Sequence, residues 1–398
     1  MRLLILCFLA LVSPAMAQEG TALATQGHPF ATLPVNGGLV VTVTSNGRPG
    51  SATGLRVFAG PSSVSLAFHC FQPVDAAQVM GLAITPDRNT FVVAAGDAGL
   101  KLFSRAAVMD GCRASAVTVS LGSAASRQGS LDVAITSDGH YVFVANEYGV
   151  VSKDASGQDV PGHVAVVALS YDAAGAPTGG KVVGRIATGA AAITGVALSP
   201  DGRRLYVTSE VARSGAHATN GNVPRLAHAG CRQGDGPDQP VGLLSVIDVA
   251  SAEAGDPRPI VAATAAGCSP VRTVVSPDGQ TVWVAARGDN KVLAFSTSRL
   301  ESDPAHAVLG EADSGGKAPV GLALFADGKR LAVANSNRFG GATATGNLAL
   351  LEAEPSAPKL IASIPATYFP RSVSIAEDGQ TLFLADYNGG QVQVVSTN

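Results

Sequence analysis

The sequence has no excess of basic residues. Its 398 residues include 27 Lys and Arg against 30 Asp and Glu, so the formal net charge is −3. A nucleic-acid-binding domain normally carries a basic patch or stripe, so we predict no nucleic-acid partner for this chain. Charged residues are scarce, at 14% of the chain, whereas Gly is plentiful at 46 residues. This composition suits a fold with many tight turns, and helical patterning is nearly absent.

Long apolar runs are missing as well. The run from Leu3 to Val12 has ten residues, which is too short for a helix that crosses a bilayer. Arg2 precedes this run and Ala15-Met16-Ala17 follows it as a cleavage signal, so residues 1–17 are predicted to be a signal peptide. We therefore expect residues 18–398 to form a soluble, single-domain protein in the periplasm or outside the cell, with no transmembrane segment.

Linear catalytic and metal-binding motifs are absent too. The sequence contains no G-x-S-x-G, H-E-x-x-H, P-loop, EF-hand loop or C-x-x-C-H. These absences lower the expectation of an enzyme. A site assembled from several repeats would leave no linear motif, so the question of catalysis stays open at this stage.

Seven similar segments, by contrast, run along the chain, each with two apolar runs joined by a short polar turn. The clearest turns are Ser199-Pro200-Asp201-Gly202 and Ser276-Pro277-Asp278-Gly279. The looser copies turn at Asn36, Asp87, Asp138, Asp327 and Asp378. The first three copies are 51 residues apart, as are the last two, and a fixed period of this size indicates a repeat architecture. We assign the aspartates to turn formation rather than to catalysis, and Asp-Gly predicts tight primed hairpin turns.

Each segment continues with a third and a fourth apolar run, such as Leu243–Asp248 and Pro259–Ala263. Four strands in each of seven units predict an all-β fold, a seven-bladed β-propeller of four-stranded antiparallel blades. The chain ends on a third-strand pattern at Gln391–Val395, so an N-terminal strand has to complete the last blade. We predict that the stretch near Phe30–Leu33 supplies it and closes the ring, which removes exposed strand edges. Trp283 is expected in the core.

Four cysteines remain after removal of the leader: Cys70, Cys112, Cys231 and Cys268. An even number in an exported chain favours disulfides, and three connectivities are possible. Because each pair brackets one repeat, we favour Cys70–Cys112 and Cys231–Cys268. A metal site would need close spacings such as C-x-x-C, which do not occur.

The repeat also resembles a known family. Leu205-Tyr206-Val207-Thr208-Ser209 follows a Ser-Pro-Asp-Gly turn and precedes Ser245–Asp248, and counterparts end in Ala145-Asn146 and Ala334-Asn335. This pattern resembles the YVTN family of β-propeller repeat proteins over residues 30–398. The resemblance implies a seven-bladed propeller of the lactonase-like group, so a lactonase-like activity is one of its implications.

Long insertions single out one end of the predicted ring. We call the end with the first-to-second strand turns the turn face, and the opposite end the insertion face. The insertions lie between second and third strands, at 147–162, 210–241 and 336–346. Long loops on a rigid scaffold often carry function. His217 and His228 lie in the longest one, but their spacing matches no metal-ligand signature, so a polar surface loop pinned by Cys231 is preferred.

Three charged residues stand where innermost strands begin: Asp132, Arg272 and Arg371. Two guanidinium groups that converge on the channel mouth would bind a carboxylate or phosphate of a small anionic ligand. The alternative is that they pair with carboxylates or carbonyls of neighbouring blades and stiffen the ring.

Oxygen-bearing side chains also follow the second strands, on the same face. They suit Ca²⁺, which takes six to eight oxygen ligands. Because Asn and Asp at loop starts usually bond their own backbone, we predict no metal or cofactor and keep Ca²⁺ as a minor alternative. The residues concerned are Glu147, Glu210, Asp289, Asn335, Asn337, Asp386 and Asn388.

Two functions follow from this sequence. The first is a monomeric binding scaffold that engages a protein partner or a small anion through the insertion face. The second is the lactonase-like hydrolase that the resemblance implies, which would open a sugar or aliphatic lactone at the channel mouth. In that case Glu147 or Glu210 would be the general base on water.

Overall fold

The computed structural model describes residues 18–122, 128–153, 159–212, 231, 241–341 and 343–397. Within these residues, 28 strands form seven four-stranded antiparallel sheets arranged as the blades of a ring. The predicted seven-bladed propeller is therefore confirmed. Each blade takes its strands in chain order from the channel outward, except that blade 7 receives its outer strand from the N-terminal segment.

The first four blades contain the following strands. They are β2 (His28–Val35), β3 (Gly38–Thr44), β4 (Gly54–Ser62) and β5 (Ser65–Pro73) in blade 1; β6 (Leu82–Ile84), β7 (Thr90–Ala94), β8 (Leu100–Ser104) and β9 (Val117–Val119) in blade 2; β10 (Ser130–Ile135), β11 (Tyr141–Lys153), β12 (Asp159–Tyr171) and β13 (Pro177–Ile186) in blade 3; and β14 (Ala190–Leu198), β15 (Arg204–Ala212), β16 (Leu243–Asp248) and β17 (Ile260–Ala265) in blade 4.

The last three blades follow the same plan. Their strands are β18 (Pro270–Val275), β19 (Thr281–Ala286), β20 (Lys291–Ser296) and β21 (Val308–Asp313) in blade 5; β22 (Pro319–Phe325), β23 (Arg330–Asn335), β24 (Thr345–Glu352) and β25 (Lys359–Tyr368) in blade 6; and β26 (Pro370–Ile375), β27 (Thr381–Asp386), β28 (Gln391–Ser396) and β1 (Gln18–Ala24) in blade 7.

Ring closure occurs as predicted, but the closing strand was assigned to the wrong segment. β1 (Gln18–Ala24) pairs antiparallel with β28, whereas Phe30–Leu33 lies in β2, the innermost strand of blade 1. The two-residue turn at Asn36-Gly37 pairs Val35 with Gly38 and so fixes β2 to β3 as a local hairpin. Because Phe30–Leu33 pairs with β3 in this hairpin, the outer strand of blade 7 comes from the preceding segment, Gln18–Ala24.

Three short helices follow third strands, and each begins with a side-chain cap. They are α1 (Arg105–Met109), α2 (Val249–Glu253) and α3 (Thr297–Ser302). Ser104, Asp248 and Ser296 accept a hydrogen bond from the backbone N–H three residues on, which satisfies one of the free donors of the first turn. Among the described residues, no helix is both long and apolar enough to cross a membrane.

The core consists of apolar layers between neighbouring blades. Between blades 5 and 6, for example, Trp283 and Ala285 pack with Leu331 and Val333. Trp283 is 1% exposed, so its predicted place in the core is confirmed. Burial of both faces of each sheet explains why the strands read as near-continuous Val, Leu and Ala runs without polar alternation.

The predicted turns join first and second strands, but most are not primed hairpins. In blade 4 the Ser199 hydroxyl donates to the Asp201 carboxylate (2.6 Å), and the Arg203 N–H donates to the same carboxylate oxygen. Only Gly202, at φ +70°, has the left-handed conformation there. Blade 6 differs, because Asp327 (φ +55°) and Gly328 (φ +80°) are both left-handed, as a primed turn requires.

Both favoured disulfides are present. Cys70 is bonded to Cys112, which links the outer strand of blade 1 to the segment after α1 in blade 2. Cys231 is bonded to Cys268, which ties the long insertion of blade 4 to the segment before β18. Cys231 is a described residue within that insertion, whereas His217 and His228 lie outside the described residues.

Candidate functional site

A repeated backbone device shapes the mouth of the channel. At the start of five innermost strands the chain adopts the left-handed conformation, with φ between +49° and +57° at Gly129, Ala192, Ser269, Ala318 and Phe369. Four of these residues directly precede their strand, and Ala192 is the third residue of β14. Only the first is a glycine, although an L side chain costs roughly 1–2 kcal/mol in this conformation. The same strained position in blades 3 to 7 indicates that the ring, rather than local sequence preference, imposes it.

A β-bulge follows each of these residues. In blade 3, for example, Ser130 pairs with Asn146 and Asp132 with Ala145, so Leu131 has no partner across the strand. A bulge re-aims a side chain, and the extra residues of all five bulges line one cavity on the insertion face. They are Leu131, Thr194, Val271, Val320 and Arg371.

This cavity, the mouth cavity, has a volume of about 90 Å³. Its remaining lining residues are all charged: Glu147, Glu210, Arg272, Arg287 and Arg338. Asp132 contacts the guanidinium of one of them and adds a third carboxylate. Among the described residues that line this cavity or contact its lining, four arginines against three carboxylates leave an excess of one positive charge.

Arg272 is bound within the ring. Its guanidinium lies 3.3 Å from the Asp132 carboxylate and donates to the Thr194 carbonyl at 2.6 Å. The same Asp132 oxygen accepts a hydrogen bond from the N–H of Val196. The structure thus brings two of the three predicted ligand-binding residues together, with contacts of the kind that stiffening of the ring would use.

Arg287 and Glu210 form a second ion pair, between blades 5 and 4. Their nitrogen and oxygen atoms are 2.6 Å apart, and Arg287 is only 6% exposed. Ser269 donates to the same carboxylate oxygen and accepts from the guanidinium. Burial lowers the pKa of Arg287, and the Glu210 carboxylate opposes this effect. Glu210, a predicted general base, is therefore held by a cation and a hydroxyl.

Arg371 has a different environment, made of aromatic rings. Its guanidinium carbon lies 3.9 Å from the ring centroid of Phe30, 5.5 Å from that of Phe369 and 5.4 Å from that of Tyr387. Burial, and then repulsion from Arg272, lowers the pKa of this guanidinium. Within the described part of the chain it makes neither an ion pair nor a hydrogen bond. It is the third predicted ligand-binding residue, and it does not join the Asp132–Arg272 pair.

Arg338 approaches the same aromatic group from blade 6. Its guanidinium carbon is 5.8 Å from the centroid of Phe369 and 5.7 Å from that of Phe339. Its side chain likewise forms no ion pair or hydrogen bond with the residues that the structure describes. Two guanidinium groups therefore share the Phe369 ring, and cation–π contacts fix their position without neutralising their charge.

Of the oxygen-bearing side chains after the second strands, Glu147 and Glu210 line the mouth cavity together, and others bind separate partners. Asp289 accepts from the Cys268 N–H, Asn335 donates to the Ser314 carbonyl, and Asn337 donates to the Thr345 carbonyl. Asp386 accepts from Thr367, and burial raises its pKa. In the described ranges, no group of three or more His, Cys, Asp or Glu side chains is placed to hold a metal ion.

Sequence reasoning missed Arg287 and Arg338. Asn146 in blade 3 and Ala286 in blade 5 hold equivalent positions, because each pairs with the first residue of the innermost strand of its blade. Arg287 therefore occupies the same repeat position as Glu147. Aligning the repeats on that register would therefore have identified it. Arg338 belongs to a short 3-10 turn (Arg338–Gly340) inside the third insertion, and no repeat position marks it.

Comparisons with known proteins identify the fold and no more. No family model matches the sequence, and no curated protein matches it. Among solved structures, the Cps50 (Swd1) β-propeller domain of Myceliophteria thermophila is similar, with a TM-score of 0.62 and 11% identity over 96% of this chain and 99% of that one. Hydrazine synthase of Kuenenia stuttgartiensis gives a TM-score of 0.61 and 16% identity over 95% and 97%. Such identities show a shared propeller fold, and a fold alone does not define a function.

Proposed function

We propose that this protein is an exported binding scaffold whose insertion face recognises an anionic group at the mouth cavity. The observation that carries the proposal is Arg371, a deeply placed guanidinium held by aromatic rings, with no carboxylate partner in the described structure. Arg371 is half-buried and lines the cavity, so its charge is partly withdrawn from water without an opposite charge beside it, and this position favours a ligand that brings that charge. Arg338, on the same Phe369 ring, adds a second donor group.

The architecture supports binding in two further ways. Propeller blades form a rigid ring, and the bulges of blades 3 to 7 place their extra residues around a single opening. Preorganised donors bind more tightly because little ordering remains to be done on association. Two disulfides fit an oxidising compartment, which supports export after removal of the predicted leader at residues 1–17.

The hydrolase alternative has weaker support. Glu210 is engaged by Arg287 and Ser269, and a carboxylate held in this way is a poor acceptor for a water proton. Neither the lactonase-like group nor the YVTN family is indicated by the comparisons. Scaffold binding therefore explains the mouth cavity with fewer assumptions.

Calorimetric titration of the purified protein with acetate, sulfate and inorganic phosphate tests the proposal. We expect at least one anion to bind, and Arg371→Met to weaken that binding tenfold or more. Arg88→Met is the matched control, because Arg88 is an exposed arginine on the turn face that pairs with Glu377. If Arg371→Met fails to fold, Arg338→Met replaces it and is expected to weaken binding several-fold. Equal binding by wild type and the folded variants, or no binding by wild type, would overturn the proposal.

A further inference from the structure

The mouth cavity is lined by charged side chains of both signs and by an aliphatic wall. Of the five bulge residues that line it, Arg371 is charged, whereas Leu131, Val271 and Val320 are aliphatic. The fifth, Thr194, donates its hydroxyl to the Pro270 carbonyl at 3.2 Å, so that donor is already used by the backbone. We infer that the ligand of this cavity is a small monocarboxylic acid with a short aliphatic body. This inference rests on the proposed function.

The charge balance favours a monoanion. The cavity and its contacts hold four guanidinium groups and three carboxylates, an excess of one positive charge. Glu147 and Glu210 line the same small space as Arg371. A second negative charge on the ligand would lie near these carboxylates and be repelled. Sulfate and phosphate, which carry more charge and no apolar surface, match the cavity less well than a carboxylate does.

The aliphatic wall favours an apolar body on that carboxylate. Leu131 and Val271 are each 6% exposed and Val320 is 8% exposed, and each of them lines the cavity. Apolar groups of a ligand gain free energy by covering such surface. A planar carboxylate would meet the guanidinium of Arg371 in a bidentate contact, while the aliphatic body covers the wall.

The volume limits the size of the acid. The cavity has a volume of about 90 Å³, and one water-sized group needs roughly 10–15 Å³. The cavity therefore has room for a ligand of about six to nine non-hydrogen atoms. Butyrate has six such atoms and hexanoate has eight. Longer acids would have to leave the additional methylene groups in solvent.

A homologous series of acids tests the inference by calorimetry. The probes are acetate, butyrate, hexanoate and decanoate, with butylammonium, butanol, sulfate and inorganic phosphate as controls. We expect affinity to rise about threefold to fourfold for each methylene up to hexanoate and then to level off. Butylammonium and butanol are expected not to bind. A peptide, acetyl-Ala-Ala-Val, and its amide test whether a protein chain end is the source of the carboxylate.

Val271→Thr is the matched wall variant. It keeps the shape of the side chain while adding a hydroxyl to the wall, so we expect affinity to rise less steeply with chain length than it does for wild type. Sulfate or phosphate that binds more tightly than butyrate, or an affinity independent of chain length, would overturn the inference and leave the anion-binding function intact. Tighter binding of the peptide than of butyrate would also overturn it. If no anion binds at all, the proposed function fails, and the inference fails with it.

Discussion

The guanidinium of Arg272 in blade 5 lies 3.3 Å from the carboxylate of Asp132 in blade 3, across the bulge of blade 4. The same guanidinium donates a hydrogen bond to the Thr194 carbonyl of blade 4, and the Asp132 carboxylate accepts one from the Val196 N–H of that blade. Three consecutive blades are thus joined at the channel by one ion pair. Both side chains are about one-fifth exposed, so water screens the pair only in part.

Removal of Arg272 is therefore expected to loosen this part of the ring. Arg272→Met leaves Asp132 without its cation, and we expect a loss of about 1–3 kcal/mol in the free energy of unfolding, below the 3–5 kcal/mol of a fully buried pair. Urea denaturation measures it. Asp132→Asn and the double variant complete a double-mutant cycle. A coupling energy near zero would show that the two side chains act independently.

The turn motif gives a prediction on the opposite face. Gly279 has φ +71° and closes the Ser276–Gly279 turn, so Gly279→Ala is expected to cost about 1–2 kcal/mol of stability. Gly179→Ala is the matched control, since Gly179 lies in β13 without a positive φ and an added Cβ would have no atom within 4 Å. Thermal unfolding of both variants checks the difference. Equal melting temperatures would contradict the assignment of strain to Gly279.

The repeats made the fold predictable, because a short polar turn between apolar runs recurs in every blade, and in five of the seven it reads Asp-Gly. The Ser276 hydroxyl that donates to Asp278 at 2.5 Å was not foreseen, and it explains why Ser or Thr precedes the aspartate. This hydroxyl lowers the pKa of Asp278 and stabilises its ionised form. The turn is consequently shaped by a side-chain hydrogen bond rather than by a primed backbone, except at Asp327.

The site was predictable only in part. Arg272 and Arg371 were identified because they begin innermost strands, but their different surroundings depend on other blades. Asp132 stands two blades from Arg272, and Phe30 reaches Arg371 from blade 1 because the ring closes. Such contacts between blades depend on how the ring closes, and the sequence of a single repeat does not reveal this.

The disulfide between blades 1 and 2 should contribute substantially to stability. Cys70 and Cys112 are 42 residues apart, and closing a loop of that length restricts the unfolded chain by about 4 kcal/mol in the chain-entropy model. The Cys70→Ser/Cys112→Ser double variant is expected to lose about that much. Denaturation with and without reductant measures it, since reductant should have less effect on the variant than on wild type. A variant as stable as wild type would show that the crosslink is energetically neutral.

Lactone hydrolysis provides a test of the alternative function. Because Glu210 is held by Arg287 and Ser269, we expect no turnover of sugar or aliphatic lactones above background, with or without chelator. Proton release from a lactone panel measures it. Turnover that disappears in Glu210→Gln or Glu147→Gln would instead establish an enzyme with a carboxylate base.

His163 gives the protein an acid-sensitive interior. It is 5% exposed, and its Nε2 lies 3.5 Å from the Nδ2 of Asn146, whose Oδ1 accepts from the Ser130 hydroxyl. Burial, and then repulsion from Arg185, lowers the pKa of His163 to about 4. The unfolded chain binds this proton near pH 6.5, whereas the folded protein binds it only near pH 4, so the unfolded state gains stability as the pH falls between these values.

The contribution of His163 is therefore complete above pH 6.5 and is lost progressively down to about pH 4. We expect the free energy of unfolding to fall by about 2 kcal/mol between pH 7 and pH 5, as measured by urea denaturation at each pH. His163→Gln removes the titrating group, so its stability should change much less over the same range, whatever its absolute value. Hydrogen bonds lower the pKa of Asp201 and Asp278, so these two turn aspartates titrate below the window of His163. If the free energy of unfolding of His163→Gln falls with pH as steeply as that of wild type, the acid sensitivity belongs to other groups.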